Sequence, residues 1–154
     1  MWAKILIAVN ISMFILILSI FVYTKIKEKR RFFEIRNNLS QILSRPVETI
    51  IILGYQNPAY EKVDDLLASG VYLGDFVILF SGPEWLYNIK KKSWILYQTV
   101  HLPSLSGVHL SQRIVGLIKF ENNRLTVINE VAEYLFIENK SYKTNHIMSV
   151  SDHL

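Results

Sequence analysis

Few residues in this 154-residue chain are of the types that carry out catalysis, and their spacing argues against the reactions they suggest. His101 and His109 stand eight apart around a loop containing Pro103 and Gly107. Two imidazoles can hold zinc, but such pairs usually come at tight spacings with an acidic partner. No carboxylate lies between these two, so they read as loop histidines, and His146 and His153 fall in the tail. Ser104 and Ser106 resemble a nucleophile turn only superficially, because an elbow needs Gly two residues before and two after the serine. Asp64 and Asp65 read as a helix-surface pair, with no second carboxylate cluster to share acid–base work. The six glycines are scattered, so there is no phosphate loop and no dinucleotide fingerprint. The chain has no Cys, which removes disulfides, thiolate nucleophiles, iron–sulfur clusters and Cys-ligated zinc. The expectation is therefore a protein with no catalytic residue, no metal ligand and no cofactor.

Two surface features remain. Trp85, Tyr87 and Trp94 fall in an aromatic-rich stretch. Such rings fill the core of a small sheet, or, if exposed together, form a partner surface. Lys90, Lys91 and Lys92 make a triplet that reads as a solvated loop tip, or as a contact with lipid headgroups if the domain lies near a bilayer.

The element that positions everything else is the stretch from Ile5 to Tyr23. It has no charge, no Pro and no Gly, and only Asn10, Ser12 and Ser19 interrupt it. About 20 apolar residues in a helix cross a hydrocarbon core of about 30 Å. Ile5, Phe14, Leu18 and Phe21 would face lipid, and Trp2 and Tyr23 would sit at the two interfaces. A soluble core helix would keep a polar stripe, which this run lacks. A cleaved signal would need a shorter apolar core and a small-x-small site, and the one candidate, Val22-Tyr23-Thr24, precedes a basic run, so an uncleaved anchor is expected. Ala8, Ser12 and Ser19 share a stripe that would allow a second helix to approach.

The net charge of +4 is unevenly placed. From Lys25 to Arg36 six bases stand against two acids, giving +4, whereas from residue 37 onward ten bases stand against eleven acids, giving −1. The body is nearly neutral, so no nucleic-acid surface is indicated. Lys25, Lys27, Lys29, Arg30 and Arg31 lie where anionic headgroups would attract them. Against the single Lys4 on the other side, they place the carboxyl side in the cytoplasm. Asn-x-Ser triplets at Asn10, Asn38 and Asn139 read as chance in that topology.

Beyond the span, Phe32, Ile35, Leu39 and Ile42 recur at helical steps, with Leu43 alongside, and Pro46 ends the pattern. Val47–Leu53 reads as a central strand, Ala59–Ala68 as a helix stopped by Gly70, and Asp75–Ser81 as a strand. Trp85–Tyr87 and Ser93–Leu102 read as two strands joined across the lysines. Arg113–Phe120 and Arg124–Ile128 form a hairpin. The segment from Asn129 to Ile137 is ambiguous: Glu130–Phe136 suits a short helix, whereas Tyr134–Ile137 suits a strand. The expected fold is α+β: a transmembrane anchor (1–24), a basic juxtamembrane amphipathic helix (25–46), a small domain (47–138) and a mobile tail (139–154). The domain would hold a mostly antiparallel sheet with one or two helices on one face. Such a chain is expected to act as a single-pass scaffold, adaptor or accessory subunit, with the lipid bilayer and other membrane proteins as partners. The alternative is a tethered ligand- or lipid-binding domain, exported if the topology is reversed.

Overall fold

One helix, α1 (Trp2–Leu43), runs 42 residues without a break. The structure, a computed structural model, describes residues 2–70, 74–105, 108–121, 124–138 and 140, with backbone alone at 2–4 and 8. The chain divides into two compact units, residues 1–35 and 36–154, and α1 passes from one into the other.

In the first unit every described side chain from residue 5 to residue 31 is exposed. The apolar part has a mean hydropathy of 2.8 and nothing buried, which makes α1 long and apolar enough to cross a membrane. Two hydroxyls within it are satisfied by their own helix: Ser19 donates to the Ile15 carbonyl and Thr24 to the Ile20 carbonyl, both at 2.8 Å. On the expected apolar stripe Phe32, Ile35 and Leu39 are buried, whereas Ile42 is exposed.

The second unit begins with the last two turns of α1. Ser44, at φ +52°, ends the helix in a left-handed conformation. The chain then doubles back. Arg36 Nε donates to the Val47 carbonyl at 2.8 Å, and the Val47 N–H donates to Ser40 Oγ at 3.2 Å. Next come β1 (Thr49–Gly54), α2 (Tyr60–Ala68), β2 (Val77–Ser81), α3 (Glu84–Lys90), β3 (Gln98–His101), a 3₁₀ turn (Leu102–Ser104), β4 (Val115–Glu121) and β5 (Arg124–Ile128). Residues 131–138 are helical. The tail expected to be mobile lies outside the described residues, except for Lys140.

The sheet order is β3-β2-β1-β4-β5. β1, β2 and β3 are mutually parallel, with Ile51 opposite Ile78 and Leu79 opposite Val100. β4 returns antiparallel to β1, and β5 antiparallel to β4. The sheet is thus mixed rather than mostly antiparallel. The cause is α3: residues 84–90 form a crossover helix where a strand was expected. With helices α2 and α3 each bridging two strands, three strands run the same way.

Side chains alternate across the pleat. Ile51, Leu53, Ile78, Phe80, Val115 and Leu117 pack with α2, with Trp94 and with Val131 and Leu135 of the last helix. Ile50, Ile52, Val77, Leu79, Ile118 and Phe120 point to the other face and are also buried. On that side the Arg36 guanidinium lies 5.1 Å from the Phe120 ring centroid. β1 and β2 are covered on both faces, which explains their unbroken apolar runs. Each buried Ile or Leu contributes about 1.5–3 kcal/mol.

Gly54 sits where the end of β1 meets the 112–114 segment. Its N–H donates to the Ile114 carbonyl at 2.8 Å, and a Cβ here would collide with the Gln112 carbonyl.

Candidate interaction surface

α3 starts after Pro83, whose extended backbone and missing N–H suit the entry to a helix. Its inner side is held by a buried polar knot. Asp64 reaches from α2 and accepts from Trp94 Nε1 at 2.8 Å and from the Lys90 ammonium. Asp64 is buried, and two charge-assisted or buried donors offset its desolvation. The reading of Asp64 as a surface residue is thereby corrected. On α2 it follows Tyr60 by four and precedes Leu67 by three, so it shares their inward face.

Beside this knot Tyr87, also on α3, stacks on His101 with centroids 5.0 Å apart and planes at 11°. Phe80 lies next to both. Tyr87 Oη donates to the Thr99 carbonyl at 3.0 Å, and His101 Nε2 lies 2.8 Å from the Gly82 carbonyl. The imidazole is therefore used in packing, with Nε2 as the donor. His109 is exposed. Among the described residues no group of three or more His, Cys, Asp or Glu could hold a metal ion. Ser106, Gly107, His146 and His153 lie outside the described residues.

What α3 turns outward is mixed: Glu84 and Asn88 are exposed beside Trp85 and Ile89. Trp85 is 64% exposed and Ile89, one turn later, 57%; in the turn beyond, Ile95 is 78% and Leu96 43% exposed. Lys91 and Lys92 flank them, with the Lys91 ammonium 5.5 Å from the Tyr87 ring centroid. Of the three aromatics considered as a partner surface, Trp85 faces solvent, Tyr87 is half-buried in its stack, and Trp94 is fully buried in the core. The other exposed large apolar residues of this segment are Ile89, Ile95 and Leu96. The i,i+4 spacing of Trp85 and Ile89 carried that signal, but it was masked by the reading of the segment as a strand.

Two concavities mark the second unit. One, about 610 Å³, is lined by Arg45, Glu48, Asp75, Lys119, Tyr134 and Glu138 among others. Arg45 grips Asp75 through both terminal nitrogens, at 2.9 and 3.1 Å, and donates from Nε to Gln98 at 2.7 Å. Lys119 lies 4.8 Å from the Tyr134 ring centroid, and Tyr134 Oη donates to Glu138 at 2.7 Å. Its hydrogen bond with the Tyr134 hydroxyl, aided by Glu138 and Glu121, raises the Lys119 pKa, whereas burial is the main cause that raises that of Tyr134. The other concavity, about 490 Å³, lies against α2 and the last helix and is lined by Leu66, Ala132 and Phe136 with Lys62, Asp65 and Glu133.

The expected anchor residues Ile5, Phe14, Leu18, Phe21 and Tyr23 all lie exposed on α1; Trp2 and Ala8 lie among the positions described by backbone alone. Ser12 and Ser19 are on the same helix. Of the basic cluster, Lys25 pairs with Glu28 at 3.4 Å, and Lys27, Lys29, Arg30 and Arg31 are exposed. No known protein family matches the sequence, and neither the curated proteins nor the solved structures hold a match to it.

Proposed function

We propose that this chain is a single-pass membrane protein whose α+β domain serves as a non-catalytic scaffold, adaptor or accessory subunit for other membrane proteins. The observation that carries the reading is α1. Its apolar segment has no cover of its own, and the helix runs on in sequence into the domain, where Arg36 and Ser40 bond to Val47. A domain attached in this way stays beside the bilayer and its neighbours. The five bases that follow the span favour a cytoplasmic domain.

The test is isolation of the tagged full-length chain from its native membranes after cross-linking, then in mild detergent. The reading expects stoichiometric membrane proteins to travel with it. A chain that stays alone before and after solubilisation contradicts it. Protease added to sealed vesicles of known sidedness tests the orientation.

A second reading, a tethered ligand-binding domain, is favoured by the 610 Å³ concavity with its mixed charges. It expects small polar metabolites to raise the melting temperature of the chain, and Lys119→Ala to remove that rise.

A further inference from the structure

Trp85 and Ile89 stand one turn apart, and Ile95 and Leu96 follow, all four exposed. Lys90 is drawn inward to Asp64, so the basic charge left outside is that of Lys91 and Lys92. One acid, Glu84, stands at the helix start. Exposed Trp, Ile and Leu side chains, with Asn88 among them and two ammoniums on long apolar stems between, have the composition that settles into the headgroup layer of a membrane. The lysines complement anionic lipid, and the rings and aliphatic chains fit the interface below it. The same chain carries an apolar helix fit to span a bilayer. Tethering makes docking of the domain an intramolecular event, so a weak contact is enough.

We propose that the exposed apolar side chains of α3 and the turn after it, Trp85, Ile89, Ile95 and Leu96 with Lys91 and Lys92, dock onto the anionic surface of the bilayer that the chain's own helix enters. This inference rests on the anchored reading above. Docking restricts the tumbling of the domain and fixes which of its surfaces are left for other proteins.

The absence of cysteine makes the test clean, since one introduced thiol can be labelled alone. Full-length Ile89→Cys, carrying an environment-sensitive fluorophore, is reconstituted into phosphatidylcholine vesicles with or without phosphatidylglycerol. Arg124→Cys, on the far edge strand, serves as the control position. The proposal expects blue-shifted emission and quenching by lipid-borne nitroxide at position 89, in the anionic vesicles only, and neither at position 124. Each lysine near an anionic surface contributes about fivefold, so Lys91→Gln with Lys92→Gln lowers the docked-to-free ratio about thirtyfold. Water-like emission in both vesicle types overturns the proposal. So does an equal shift in neutral vesicles, or a shift seen in native membranes but not in pure lipid, which would assign the face to a protein. Alkaline carbonate washing of the same vesicles separates the two readings. Loss of the labelled chain sinks the anchor itself, whereas retention with a water-exposed probe sinks the docking alone.

Discussion

The segment Ile5–Tyr23 and the strands β1 and β2 are similarly apolar, yet their side chains meet opposite fates. In α1 each described residue of the segment is exposed, whereas in β1 and β2 every position but Thr49 is buried. The strands arrive with their own cover: α2, α3 and the 131–138 helix on one face, and the end of α1 on the other. The first five turns of α1 arrive with none. Apolarity alone does not decide burial; it decides that a cover must exist. For the strands the cover is protein, and for α1 a helix of this length and composition suits lipid.

The contrast breaks most completely at the span. Phe14→Arg with Leu18→Arg costs about 2.5–3.5 kcal/mol per arginine at a helix centre. The doubly substituted chain is expected in the soluble fraction after carbonate extraction, with the domain's melting temperature unchanged. The mirror experiment is Trp94→Ala, which leaves a cavity under α3 and strips Asp64 of one donor. It is expected to lower domain stability by about 3–5 kcal/mol in denaturant titration, without releasing the chain from membranes. If either substitution moves both readouts, the two covers are not independent.

Smaller changes sharpen the protein side of the comparison. Gly54→Ala drives a methyl into the Gln112 carbonyl, with an expected loss of about 1–3 kcal/mol. Tyr60→Phe goes the other way. Its hydroxyl is buried with no hydrogen-bond partner among the described residues, so removing it should gain about 1 kcal/mol. The same substitution alters the alkaline limb. Burial, then the nearby Asp64 and Glu61 carboxylates, raise the Tyr60 pKa above the ordinary value of 10.0. The folded chain therefore keeps a proton that the unfolded chain releases above about pH 10. Stability is full below that pH and falls as pH rises past it; in Tyr60→Phe this fall is smaller.

The segments legible in the sequence were those with a strong local pattern. The long apolar helix at the amino end, the β4–β5 hairpin, α2 and the central place of β1 all follow from runs and turns that local physics reads without help. α3 was missed because it is seven residues long and carries Trp85 and Tyr87, aromatic types that favour strands when alone. It is helical because Tyr87, Leu86 and Lys90 find partners on the sheet and on α2, which no local window shows. Missing it turned a parallel crossover into two expected strands joined across the lysines. One signal did point to parallel strands: Ile50–Leu53 and Val77–Phe80 are unbroken apolar runs, as strands buried on both faces require. Of the exposed apolar residues on α3 and the turn after it, the sequence pointed to Trp85 and, once the helix was missed, not to Ile89, Ile95 or Leu96.

The central claim is that α1 holds the intact chain in lipid. Sodium carbonate washing of membranes, followed by intact-mass measurement of the retained chain, tests it most directly. The account predicts that the chain stays in the pellet at its full, unprocessed mass. A chain released to the supernatant, or retained only after losing its first helix, would contradict it.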